Sequence, residues 1–223
     1  MFKSFEHWSW SQLQTWRECP FKARLRYIDR APEPPRAKDD PRDRGIALHK
    51  AAEDYLLKGA PLDHAFAPFA VQMAELKNLN PEVEQRNYLD RNWFPCDRDS
   101  RWAVYIPDVR ATVGDTTLTI DFKTGKKYGN EVKHFGQLQF YSVGDWCAKP
   151  TVSHHIGEIW YIDQKDIVPH QFSNTQLEQA RARLDEEVTR MMADKIHAPR
   201  PNKVSCKYCP YSPRGTGACP VGV

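Results

Sequence analysis

Ile106-Pro107-Asp108-Val109-Arg110-Ala111-Thr112-Val113, a Gly114-Asp115 turn, then Thr116-Thr117-Leu118-Thr119-Ile120-Asp121-Phe122-Lys123-Thr124-Gly125-Lys126-Lys127 is the stretch that decides the fold. Val104, Ile106, Val109 and Val113 read as one strand, and Leu118 and Ile120 carry the chain into a second. Branched residues on either side of a Gly-Asp turn suit a pleated hairpin. Side chains two apart on a strand point to the same face, so Asp121 and Lys123 share one. Asp108, on the paired strand, is expected at the same spot. Two carboxylates and an amine at one point suit a hard divalent cation such as Mg²⁺. The amine is then placed to orient or help deprotonate an attacking water. Asp-x-Lys alone more often marks a surface hairpin whose charges face water.

Features elsewhere bear on that choice. A helix is predicted over 42–58, where Ile46, Ala52, Tyr55 and Leu56 recur at helical spacing and Gly59-Ala60-Pro61 closes it. His49 lies beside the Ile46, Ala52 and Leu56 stripe and is expected to face inward, as a core residue or a ligand. Gln137 and Tyr141 are four apart and stack on one helical face, with Val132, Phe135 and Leu138 as apolar neighbours. The chain has six cysteines, at positions 19, 96, 147, 206, 209 and 219. Met1 to Trp8 holds no apolar segment of the signal-peptide kind, and no run approaches the ~20 apolar residues of a membrane span. A cytoplasmic location is therefore expected, where clustered cysteines more often hold metal than form disulfides. Cys206-Lys207-Tyr208-Cys209 is a C-x₂-C knuckle, Cys219 follows a short loop later, and Cys19-Pro20 offers a fourth thiolate. Cys96 and Cys147 read as small buried hydrophobes.

Asp108 followed by Asp121-Phe122-Lys123-Thr124-Gly125-Lys126 resembles the core of PD-(D/E)xK nucleases, in the variant typical of RecB-like exonucleases. The resemblance extends in order to Gly45-x-x-x-His49 upstream and Gln137-x-x-x-Tyr141 downstream, and to an N-terminal signature from Trp10 to Tyr27. It implies metal-dependent hydrolysis of phosphodiester bonds in DNA. His49, Asp108, Asp121 and the Phe122 carbonyl would bind Mg²⁺ or Mn²⁺. Asp108, Asp121, Lys123, Gln137 and Tyr141 would form the catalytic set, Lys123 acting on the hydroxide and Gln137 with Tyr141 steadying the strand or the lysine. Cys19, Cys206, Cys209 and Cys219 resemble the [4Fe–4S] staple of RecB-like and CRISPR-associated nucleases, which ties the chain ends together. Four thiolates would equally hold tetrahedral Zn²⁺, and Cys209 and Cys219 stand further apart than in many of these nucleases.

The fold implied is α/β, a restriction-endonuclease-like core with a central mixed sheet flanked by helices, a helical N-terminal part and cysteine-clamped termini. It would be a single nuclease domain spanning 1–223. Composition agrees: 223 residues and 25.9 kDa suit one domain with a proper core. Net charge is only +3 with a pI near 8.5, so any DNA contact must come from local patches. One such patch is the basic run Arg17, Lys22, Arg24, Arg26, Arg30, Arg36, Lys38, Arg42 and Arg44, which reads either as a solvated face or as a track for a phosphate backbone. Mean hydropathy is −0.70 without low-complexity tracts, as in a folded soluble chain.

Further elements are predicted as a long helix over 61–79, a strand over 83–89 in which Glu84 is a candidate extra acid, and strands over 156–162 and 167–172. A last helix is capped by Ser173 and Gln176, with a core stripe of Leu177, Ala180, Leu184, Val188 and Met191. The expected activity is that of a DNA exonuclease on single strands or duplex ends, in recombination or repair, phage DNA processing or CRISPR-type adaptation, with no membrane association. A recombination or adaptation protein is the partner this family biology implies. The alternative from another class is a non-catalytic DNA-binding subunit with a structural Fe–S or Zn site; a redox protein would leave the Asp-x-Lys hairpin and His49 unexplained.

Overall fold

The computed structural model describes residues 4–223. In chain order the elements are β1 (Trp8–Ser9), α1 (Trp10–Glu18), α2 (Pro20–Ala23), a π-helical turn (Arg24–Ile28), α3 (Pro41–Lys58), a 3₁₀ segment (His64–Phe69) and α4 (Ala70–Asn78). There follow β2 (Glu82–Val83), β3 (Asn87–Leu89), β4 (Ala103–Tyr105), β5 (Val109–Val113), β6 (Thr116–Lys123) and α5 (Glu131–Ala148). β7 (His154–Tyr161), β8 (Asp166–Phe172), α6 (Asn174–Ala193) and α7 (Lys203–Lys207) complete the chain. Two compact units form: one is Lys38–Ala182, and the other joins the chain up to Ala37 with Arg183–Val223. Among the described residues no helix is long and apolar enough to cross a membrane.

The first unit is built on a five-stranded sheet in the order β2-β5-β6-β7-β8. β6 and β7 run parallel, and the other neighbours are antiparallel. Alternation along β5 and β6 sends unlike residues to opposite faces. Val109 pairs with Ile120, and both join Phe122 in a cluster with Leu48, Ala52 and Leu56 of α3 and with Phe66, Met73 and Leu76. Arg110, Thr119, Asp121 and Lys123 fall on the other face, towards α5. There Thr119 Oγ1 donates to Asp145 Oδ2 at 2.7 Å and Lys123 Nζ to Gln137 Oε1 at 3.2 Å. One face of the hairpin is thus an apolar core and the other a buried polar layer.

Helix ends follow their sequence signals. Asp40 accepts from Arg42 N–H at 2.9 Å to cap α3, and Gly59 ends it in a left-handed conformation (φ 71°). Ser173 and Gln176 form the reciprocal capping box of α6 at 2.9 and 3.2 Å. The α6 stripe is buried from Leu177 to Met191. In the second unit α1 is capped by Ser9 and clamped to α6: Arg17 meets Glu187 through both Nε and Nη2, and Trp16 Nε1 donates to Asp194 Oδ2 at 2.9 Å.

Several expectations are corrected. The strand read through Val104 to Val113 is two strands, β4 pairing with β3 and β5 with β2 and β6; Pro107, between them, has no N–H for a ladder. The strand expected over 83–89 breaks after Val83, where Glu84 turns left-handed (φ 51°). The long helix over 61–79 is a 3₁₀ segment containing Pro68, followed by the shorter α4. Ile46 is 59% exposed and Val132 87%. The buried stripe of α3 is Leu48, Ala52 and Leu56, spaced by four, which leaves Ile46 on the far side of the helix.

Gly157 of β7 sets how closely α5 approaches the sheet. A Cβ there would stand 2.9 Å from Leu138 Cδ2 and Cγ, and Leu138 is fully buried one residue from Gln137. Gly157→Ala is therefore expected to destabilise the protein by about 1–3 kcal/mol through overpacking, read as a lower urea midpoint at an unchanged slope. An unchanged midpoint would refute the close approach.

Candidate active site

Three elements deliver ligand-type groups to one point: His49 from α3, Glu84 just past β2, and Asp108 just ahead of β5. His49 Nδ1 lies 3.0 Å from Glu84 Oε1 and 3.3 Å from Asp108 Oδ1. Their ligand atoms all fall within 4.8 Å of one another. Glu84 N–H donates to Asp108 O at 3.0 Å, continuing the β2–β5 ladder and setting the two side chains opposite each other. Asp108, 6% exposed, also accepts from Phe122 N–H at 2.5 Å through Oδ2. The His49 ring meets the Phe122 ring edge-on at 6.0 Å. Burial pulls the His49 pKa down, but hydrogen bonds and charge from Asp108 and Glu84 outweigh it and lift the imidazole to about 10.

Asp121 and Lys123 stand beside this group on β6. Lys123 Nζ is 2.5 Å from Asp121 Oδ2 and donates to Gln137 Oε1; Gln137 Nε2 in turn donates to Tyr141 Oη at 2.6 Å. Asp121 is 1% exposed; its Oδ2 is engaged by Lys123, and its Oδ1 has no hydrogen bond. Burial and the neighbouring Asp108 push its pKa up, against the pull of Lys123. Burial disfavours the Lys123 ammonium, yet Asp121 and Asp108 hold its pKa above the usual lysine value. Burial also raises the Tyr141 hydroxyl well above its ordinary range.

The structure thus gathers His49 and Asp108 with Glu84, and joins Asp121, Lys123, Gln137 and Tyr141 in one chain of contacts. Phe122 contributes its N–H to Asp108 and its ring to the core. The donor set suits a hard cation: an imidazole and carboxylates, one of which has a buried oxygen, Asp121 Oδ1, that lacks a hydrogen bond. The sequence offers Glu84 as a candidate extra acid for the metal, within a strand over 83–89; its place opposite Asp108 comes from the β2–β5 register. The basic run is mostly spent within the protein, with Arg17, Lys22, Arg24, Arg26, Arg42 and Arg44 paired to acids.

In the second unit Cys19, Cys206, Cys209 and Cys219 line a single pocket with Lys22 and Arg200. Arg200 N–H points at Cys19 Sγ at 3.4 Å. Burial raises the Cys209 thiol pKa, and Cys19 and Cys219 add to the rise. The long gap between Cys209 and Cys219 is closed by a folded loop: Thr216 N–H donates to Pro210 O at 2.8 Å and Cys219 N–H to Tyr211 O at 2.8 Å. Gly215 makes the fold-back possible, since a Cβ there would stand 2.0 Å from the Pro210 carbonyl oxygen. Backbone cannot swing aside as a side chain can. Gly215→Ala is expected to lower the melting temperature measurably and to make Cys219 more reactive towards a thiol reagent than in wild type; equal reactivity would mean that the loop tolerates the methyl group.

Comparison with known proteins places the chain in a superfamily. The profile of the PD-(D/E)XK nuclease superfamily matches residues 7–113 and 108–214, and the chain belongs to that superfamily. Among solved structures, a "putative exonuclease" from Eubacterium rectale superposes with a TM-score of 0.50 at 10% identity, over 85% of this chain and 81% of that one. The crystal structure of SSO0001 matches with a TM-score of 0.47 at 13% identity, over 100% of this chain and 90% of the other. No curated protein matches the chain significantly in sequence.

Proposed function

We propose that this protein is a divalent-metal-dependent deoxyribonuclease, an exonuclease of the RecB-like kind acting on single strands or duplex ends. The observation that carries the reading is the convergence of His49, Glu84 and Asp108 within 4.8 Å, beside the Asp121–Lys123 pair. His49, Glu84, Asp108 and Asp121, with the Phe122 carbonyl, would hold Mg²⁺ or Mn²⁺. A bound ion of this kind polarises a scissile phosphate and lowers the pKa of water. Lys123, fixed between Asp121 and Gln137, presents a positive charge to the phosphorane as negative charge develops there. Gln137 and Tyr141 hold that ammonium in place through their own hydrogen bond.

The test is degradation of end-labelled linear single- and double-stranded DNA, with Mg²⁺ or Mn²⁺ against EDTA. Loss of label in wild type, stopped by EDTA, is expected. Lys123→Ala should lower the rate by at least about 10²–10³-fold, the scale of removing one positioned electrostatic donor, while leaving the fold intact. Cleavage by Lys123→Ala at the wild-type rate would remove Lys123 from the mechanism. No cleavage by a metal-loaded, folded wild type would favour a DNA-binding subunit instead.

We further propose that the four pocket cysteines hold a [4Fe–4S] cluster in a reducing, cytoplasmic setting. What supports a bound metal group here is that all four thiols line one pocket; the choice of cluster over zinc rests on the resemblance. Anaerobically purified protein is expected to contain about four iron and four sulfide per chain, and Cys206→Ser to lose most of the iron and become less soluble. Stoichiometric zinc without sulfide would assign the tetrahedral site.

A further inference from the structure

Arg110 stands on the polar face of the sheet, two residues beyond Asp108, with its side chain only 7% exposed. On one side its Nη1 donates to Asp145 Oδ1 at 2.5 Å. Asp145 is fully buried on α5 and also accepts from Thr119. On the other side Nη2 donates to Glu82 Oε2, to Asn87 Oδ1 at 3.1 Å and to Gln85 Oε1 at 3.5 Å. Glu82, Gln85 and Asn87 bracket Glu84 in sequence. One guanidinium therefore holds both flanks of the residue that completes the cluster with His49 and Asp108.

Glu84 needs such a hold. Its backbone is left-handed at φ 51°, a conformation that non-glycine residues keep only where their surroundings over-determine it. One main-chain bond, to Asp108 O, fixes its position along the ladder, and β2 before it is only two residues long. A buried arginine is also a costly way to fill space, since an apolar residue of similar volume often serves stability as well. What an apolar residue lacks is the planar fork of donors that reaches several acceptors at fixed angles.

We propose that Arg110 is a positioning residue: by gripping Glu82, Gln85 and Asn87 against Asp145, it holds the Glu84 carboxylate in register with His49 and Asp108, and so sets divalent-cation affinity. This inference rests on the metal-site reading above. It is tested by titrating Mn²⁺ into the DNA-free protein and reading free Mn²⁺ by electron paramagnetic resonance, with a melting curve for each variant.

Arg110→Met is expected to weaken Mn²⁺ binding about 10–100-fold, the usual effect of removing a partner that orients a ligand. Arg110→Lys should recover only part of the loss, because one ammonium cannot span both flanks. Asn87→Ala leaves the Arg110–Asp145 pair in place and keeps the test open should Arg110→Met fail to fold; a several-fold loss is expected there. The deciding comparison is made in a Glu84→Gln background, where Arg110→Met, or Asn87→Ala in its place, should add less than about threefold. A full further loss in that background, or unchanged Mn²⁺ affinity in folded variants, would overturn the proposal while leaving the metal site standing. Wild-type protein that binds no Mn²⁺ would overturn both.

Discussion

β6 carries two incompatible sets of side chains, and the rest of the first unit is arranged to satisfy both. Ile120 and Phe122 must leave water, while Thr119, Asp121 and Lys123 must not be buried without partners. With a period of two, the strand cannot turn both sets the same way. It therefore lies between layers of opposite character, α3 and the residues after it on the apolar side and α5 on the polar side. Asp145, Tyr141 and Gln137 are spaced by four along α5, so they form a row over Thr119, Asp121 and Lys123, which are spaced by two. The match works because four helical residues rise ~6 Å and two strand residues ~6.6 Å. Gly157 lets the two rows come within bonding distance.

Burial then gives the site its electrostatics. Glu84, Asp108 and Asp121 present three carboxylates to Lys123, the one amine paired with Asp121. The His49 ring lies 3.0 and 3.3 Å from two of these carboxylates, and their charge raises its pKa against the effect of burial. At low local dielectric such an excess of negative charge is far more costly than in water, and a cation offsets it directly. Asp121 Oδ1, buried without a hydrogen bond, makes the same point from the side of polar satisfaction. A charge distribution of this kind makes little sense for a surface hairpin, whose acids would face water.

Much of this was legible in the hairpin, because a strand period of two assigns faces without knowledge of the fold. The helix bearing His49, the Gln137–Tyr141 pair and the α6 capping box were legible for the same kind of reason: each is a local rule acting over at most four residues. What escaped was set by chain breaks and long-range partners. Pro107 and the left-handed Glu84 each divide a segment whose composition reads as one strand, and composition says nothing of where a ladder stops. Arg110 looked like an ordinary strand residue, since its acceptors lie 23 to 35 positions away in sequence. The return of Cys219 to Cys209 depends on hydrogen bonds inside the loop that spacing alone does not reveal.

The basic run was open to two readings, a solvated face or a phosphate track, and its ion pairs favour the first. Nine basic residues between Arg17 and Arg44 suggest a track for phosphates, yet six of them are already matched to acids of their own unit. An arginine engaged by a carboxylate offers DNA little, because the existing pair must be broken or shared before a counterion is released. Lys126 and Lys133, by contrast, are exposed in and just after the loop that links Lys123 to Gln137. They are few, and they lie in sequence between Lys123 and Gln137. With a net charge of only +3, attraction of a phosphate backbone must be local.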